Sequence, residues 1–257
     1  MAFFRRLVIA LGFLTIVPVK VMPENERDQA KSMYFFTFVG LMIGAFIALS
    51  YILLNLILPT FIIAALLIVI EIIITLGFHL DGLMDTFDGF RSGESKNGIL
   101  KIMKRNDIGA FGVIALVCLL ILKYGLYLSI KKEIFWQSIM LAPAFGRTSM
   151  VFAAFLGKKQ LTKGLLAKTF ISHVGWGELA VSIGLMSVAL LLLTGPLSLV
   201  MFSGLLSPAL MFLWSKRKIS GITGDVLGAA GEISSVFFLL LIVIACNFIT
   251  FKGFLNI

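Results

Sequence analysis

Residues 78–112 read F-H-L-D-G-L-M-D-T-F-D-G-F-R-S-G-E-S-K-N-G-I-L-K-I-M-K-R-N-D-I-G-A-F-G, a polar tract between two continuously apolar runs. Asp81, Asp85 and Asp88 stand at i, i+4 and i+7, so a helix through 80–89 projects all three carboxylates from one face. Like charges at that spacing repel, each pair costing an isolated helix about 0.2–0.5 kcal/mol, and a divalent cation would relieve the repulsion. Hard cations such as Mg2+ take oxygen ligands, typically a few carboxylates together with substrate phosphates. A solvated helix face is the ordinary alternative. Against it, Leu80, Leu83, Met84, Phe87 and Phe90 interleave the acids, and the tract abuts a membrane-type segment.

The flanking runs set the class of protein. Of 257 residues, 60% are hydrophobic and only 14% charged, with a mean hydropathy of +1.06, which is outside the range of soluble domains. The sequence predicts an all-α, polytopic membrane protein. Continuous runs such as 61–77 and 236–251 lack the alternation that a transmembrane barrel requires. At roughly 20 residues per span the chain supplies about seven, expected at 33–58, 61–78, 108–128, 134–157, 178–193, 196–214 and 233–251. Residues 1–19 resemble a signal peptide, with Arg5 and Arg6 before an apolar run, but no small-x-small cleavage site follows. That run is short for a span and reads as an interfacial or re-entrant helix, followed by a polar segment to Lys31. The whole is one integral membrane domain. Cys118 and Cys246 lie in apolar runs without a disulfide or metal motif.

With the amino terminus inside, Lys131, Lys132 and Lys252 fall outside and Lys123 and Arg147 fall within spans, leaving seventeen of the 22 Lys and Arg on the cytoplasmic side. The positive-inside rule favours this orientation. The net charge of +9 is then a matter of topology, not a nucleic-acid footprint. Three polar cytoplasmic loops result, at 78–107, 158–177 and 215–232, as suits an enzyme of the cell membrane facing a soluble substrate pool.

A second acidic tract, T-G-D-V-L-G-A-A-G-E-I at 223–233, places Asp225 and Glu232 seven residues apart, as Asp81 and Asp88 are. Two carboxylate stripes facing each other would share a metal. The glycines of both tracts also suit close packing of helices, and neither a Walker loop nor a G-x-G-x-x-G motif is present. Lys101, Lys104 and Arg105 follow the first stripe and suit either a phosphate-bearing substrate or anionic lipid headgroups. Arg147, within the span at 134–157, needs an anion at that depth, and its planar fork suits phosphate or carboxylate. Glu71 is a second charge inside a span, to be read as functional or as bonded to a neighbouring helix. His79, two residues before the stripe, is a candidate general base or metal neighbour.

At H-L-D-G-L-M-D-T-F-D-G the chain resembles the cobalamin synthase family, adenosylcobinamide-GDP ribazoletransferases. The resemblance extends through F-L-T-I-V-P-V near the start, Y-F-F-T-F-V-G-L-M-I-G at 34–44, I-G-A-F-G-V at 108–113, L-K-Y-G at 122–125 and T-G-D-V-L-G-A at 223–229. Where the family usually has an M-K-D-S-R-I-G-like run, this chain has M-K-R-N-D-I-G at 103–109, exchanging acid and base at Arg105 and Asp107. The resemblance implies a late step of cobalamin assembly, in which α-ribazole or its 5′-phosphate displaces GMP from adenosylcobinamide-GDP with Mg2+ present. Asp81, Asp85 and Asp88 would hold Mg2+ on the diphosphate, joined by Asp225 and Glu232 if the second stripe faces the first, and one of the first three or His79 would take the hydroxyl proton. A homo-oligomer is compatible with this reading. Two alternatives stay open. A CDP-alcohol phosphotransferase has an acidic motif similar in kind, although it usually carries D-G-x-x-A-R. An ion-coupled transporter is suggested by Glu71, Lys123 and Arg147 within spans.

Overall fold

The computed structural model describes residues 2–21, 23–105, 107–158, 165–195 and 202–254. Helices α1 to α12 run Ala2–Leu14, Glu26–Lys31, Phe36–Leu54, Thr60–Thr75, Phe78–Arg91, Lys96–Ile102, Ala110–Ser129, Lys132–Gly157, Leu165–His173, Trp176–Thr194, Leu206–Ile219 and Gly224–Phe254. No β-strand occurs among the described residues. This all-helical architecture follows from the lack of water in a bilayer, where each backbone N–H and C=O must be satisfied within its own helix. Five helical stretches are long and apolar enough to cross a membrane: 26–54, α7, α8, α10 and 224–247. A sixth is added if α4 and α5 count as one bent span. The expectation of about seven thus meets five or six among the described residues. The span expected at 196–214 falls partly on residues 196–201, outside them.

Helix α8 is the axis of the bundle, with 17 of its 26 residues buried. Apolar side chains gain little from meeting one another in lipid, so helices there associate through close backbone packing at small residues. Gly40 and Gly44 of α3 provide it on one side. A Cβ on Gly40 would stand 2.6 Å from the Cα of Ala144, and one on Gly44 would strike the backbone of Met140. On the other side a Cβ on Gly146 would stand 2.7 Å from the carbonyl oxygen of Gly231 in α12.

Two local features place the acidic helix. After α4, Leu76 (φ 55°) and Gly77 (φ 63°) are both left-handed, and the chain turns by 92° into α5. Glycine adopts that conformation freely, whereas Leu76 costs roughly 1–2 kcal/mol. Helix α5 therefore leaves the spanning direction and lies across the end of the bundle. It buries His79, Gly82, Leu83, Thr86, Gly89 and Phe90, the 3–4 spacing of a one-sided helix. Helix α1 is strapped to α2 by Arg5 Nε and Arg6 Nε, which donate to Asp28 Oδ2 and Oδ1 at 2.7 and 2.9 Å.

The polar loops are more helical than the sequence suggests. The segment expected as a 215–232 loop shrinks to 220–223. Lys216, Arg217 and Lys218 extend α11 because cations suit its carboxyl-terminal dipole. Ser220, left-handed at φ 57°, stops it, and Thr223 Oγ1 accepts from Val226 N at 3.3 Å to start α12. The 78–107 segment holds α5 and α6. Within 158–177 lies α9, while residues 159–164 are outside the described residues.

Candidate active site

Helices α5 and α12 meet where the two acidic tracts predict, and glycine makes the contact. A Cβ on Gly82 would stand 2.9 Å from both the Cα and the carbonyl oxygen of Asp225, and one on Gly228 would stand 3.2 Å from the Cα of His79. Beside this crossing lies a cavity of about 360 Å³, lined among others by His79, Asp81, Lys104, Thr223 and Asp225. The rings of Phe13, Phe36 and Phe170, from α1, α3 and α9, form much of its apolar wall together with Met33 and Met150.

The carboxylates divide by environment. Asp81 is exposed and Asp85 half-buried. Burial, and then the neighbouring charges of Asp225, Asp81 and Asp88, push the Asp85 carboxyl up to about 7. Asp88 lies on the same helix but faces a different task. Its Oδ2 and Oδ1 accept from the backbone N–H of Gly109 and Gly112, both at 2.8 Å, satisfying the first turn of α7, where a carboxylate is also favoured by the helix dipole. A Cβ on Gly109 or Gly112 would strike that carboxylate. The I-G-A-F-G motif is thus the socket of Asp88, a role that spacing alone does not reveal.

His79 is 3% exposed, and neither ring nitrogen has a hydrogen-bond partner. Burial, and secondarily the charge of Arg147, hold its imidazole well below the usual histidine range and hence neutral. Its ring lies edge-on to those of Phe13 and Phe78.

Arg147 and Glu232 sit apart from the cavity. Arg147 is fully buried with no hydrogen bond from its guanidinium, and its Nη1 stands 3.7 Å from Glu232 Oε1. One helical turn separates it from cavity-lining Met150. Glu232, two turns into α12 from Asp225, shares a small internal void with Glu71 and Lys123, and Lys123 Nζ donates to Glu71 Oε2 at 2.6 Å. Among the described residues, Glu71 with Lys123 and Glu232 with Arg147 thus form two opposite-sign pairs, joining α4 to α7 and α12 to α8. Neither pair lines the 360 Å³ cavity. Lys101 and Arg105 are exposed, and of the three basic residues after the stripe only Lys104 lines the cavity.

Among the described residues no three His, Cys, Asp or Glu side chains already converge as ligands of one metal. The donor set nonetheless fits Mg2+. That ion usually takes only one or two carboxylates and completes its shell with water and substrate phosphate, and Asp85, whose ionisation is held back first by burial and then by the charges of Asp225 and Asp81, lies close to both.

Residues 6–243, which include every candidate named here, match the family model described as cobalamin-5-phosphate synthase. The chain belongs to that family. Curated relatives named adenosylcobinamide-GDP ribazoletransferase bear this out. The Clostridium acetobutylicum protein is 35% identical over 93% of this chain and 96% of its own. The Acetivibrio thermocellus protein is 35% identical over 94% and 98%, and a Clostridium botulinum protein 36% identical over 91% and 96%. No solved structure matches the chain. Within the family match, the aromatic wall is what sequence reasoning missed. Phe13, Phe36 and Phe170 come from three distant segments, and no spacing rule links them.

Proposed function

We propose that this chain is an adenosylcobinamide-GDP ribazoletransferase, working with Mg2+ at the cytoplasmic face of the cell membrane. Its substrates on this reading are adenosylcobinamide-GDP and α-ribazole or its 5′-phosphate. The observation that carries the proposal is the meeting of α5 and α12, which sets Asp81, Asp85 and Asp225 beside a cavity lined by His79 and Lys104, in a chain whose curated relatives carry that name.

In the reaction, the ribose hydroxyl of the acceptor forms a bond to the phosphorus that bears the cobinamide arm. The phosphorus–oxygen bond to GMP breaks, and its electron pair leaves with GMP. One of the stripe acids at the cavity, or His79 once a ring nitrogen is uncovered, takes the hydroxyl proton on this reading. Lys104 suits a phosphate oxygen of the donor. When bound by Asp81, Asp85 and Asp225, Mg2+ would neutralise charge on the diphosphate. Asp88 holds the start of α7 against α5 and so keeps the acidic face in register. The cytoplasmic orientation rests on the distribution of Lys and Arg about the spans.

The test is GMP release by the detergent-solubilised protein given adenosylcobinamide-GDP, α-ribazole and Mg2+. Release that needs all three is expected. Absence of GMP under conditions where the protein remains folded would refute the proposal, and Mg2+-independent release would remove the metal from it.

A further inference from the structure

We infer that the aromatic wall of the cavity is the seat of the acceptor's base, so that the smaller of the two substrates is enclosed and the larger is not. This rests on the reaction proposed above. Phe13 and Phe36 are near-parallel with centroids 5.8 Å apart, and Phe170 closes on them at 4.6 and 5.8 Å. These rings come from α1, α3 and α9, and Phe36 and Phe170 are only 1% and 3% exposed. Their packing on one another leaves Phe13, which is partly exposed, as the ring open to the cavity, with Phe36 and Phe170 fixing it from behind.

Size decides which substrate fits. A volume of about 360 Å³ lies at the low end of cavities that enclose a drug-sized molecule. It matches a nucleoside with a planar heterocyclic base. A corrinoid carrying a nucleotide is several times larger, so only its diphosphate can approach the acids while its macrocycle stays outside. Chemistry agrees with size. A planar base gains from offset or edge-on contact with phenylalanine rings. The ribose of a base so placed remains within the same cavity as His79, Asp81 and Asp225, as in-line attack on a phosphorus held there requires. A lipid tail would use the apolar wall but leave those groups without a partner.

The experiment compares Phe13→Leu, Phe170→Leu and Phe13→Tyr with the parent protein in two measurements. The first is steady-state GMP release with each substrate varied in turn. Both leucine variants should raise the KM for α-ribazole by about five- to tenfold, while the KM for adenosylcobinamide-GDP moves by less than about twofold. Phe13→Tyr, which keeps the ring, should restore the acceptor KM to within about twofold. An unchanged acceptor KM in both leucine variants, or a rise confined to the donor, overturns the assignment. Equal losses in the leucine and tyrosine variants overturn it too, since shape and not the ring would then matter. The second measurement is calorimetric binding of α-ribazole without donor. If the parent protein releases no GMP yet binds α-ribazole, and leucine weakens that binding by the same factor, the proposed reaction fails and the base site stands. If the parent protein does not bind it at all, the base site fails.

Discussion

Removing the carboxylate of Asp88 tests whether the acidic face of α5 performs one task or two. In the structure both of its oxygens accept backbone N–H groups at 2.8 Å from the first turn of α7. Hydrogen bonds to a charged group contribute about 1.5–3 kcal/mol, and loss of a helix cap costs about 0.5–2 kcal/mol. These ranges overlap because they describe the same contacts. Asp88→Ala should therefore destabilise by about 2–4 kcal/mol, and Asp88→Asn, which keeps one acceptor, by about 1–2 kcal/mol. For a chain of this length each kcal/mol moves the midpoint by about 2–4 °C. Thermal unfolding in detergent should then fall by about 4–16 °C for alanine and less for asparagine. The Mg2+ concentration giving half-maximal GMP release should stay at the parent value in whatever fraction remains folded. Asp81→Asn and Asp85→Asn should do the reverse, leaving the midpoint intact or higher and raising the Mg2+ requirement. An Asp88→Asn protein with a normal midpoint and a raised Mg2+ requirement would refute this division of labour.

Asp85 makes metal binding pH-dependent. Its carboxyl is raised to about 7 and a cation needs the ionised form, so the half-saturating Mg2+ concentration should fall as pH rises through about 7, and Asp85→Asn should abolish that slope. Because the folded state holds this proton more tightly than the unfolded chain, stability falls as pH rises from the ordinary carboxylate value of 3.8 towards about 7 and stays lowered above it. Asp85→Asn should therefore raise the metal-free unfolding midpoint more at pH 8 than at pH 5. The buried Lys123–Glu71 pair predicts strong coupling: Lys123→Met alone should cost about 3–5 kcal/mol by stranding Glu71, and Lys123→Met with Glu71→Leu should recover most of it, as read by thermal unfolding. For orientation, a cysteine at Ser95 should be protected from membrane-impermeant thiol reagents in intact cells and one at Lys131 labelled, in a Cys118→Ser, Cys246→Ser background. Labelling at Ser95 would reverse the topology.

Class, composition and the acidic helix were legible in the sequence because each depends on neighbours along the chain. Apolar runs without strand-like alternation dictate helices, and the i, i+4, i+7 acids share a face wherever α5 is helical, as it is from Phe78 to Arg91. The seven-residue echo between Asp81–Asp88 and Asp225–Glu232 pointed to two tracts that do meet. Only the tertiary structure decided which members of each tract share a space. The 92° turn at Leu76 and Gly77 depends on two left-handed residues, one of them a leucine that no turn rule would select. It carries Asp88 onto α7 and leaves Asp81 at the cavity. Glu232 pairs with Arg147 because two turns of α12, about 10 Å, carry it from the mouth into the bundle. The wall of Phe13, Phe36 and Phe170 has no signature at all in the order of residues. Helix periodicity constrains which side of one helix is buried, whereas a cavity is the space several helices fail to fill, and that depends on how all of them pack.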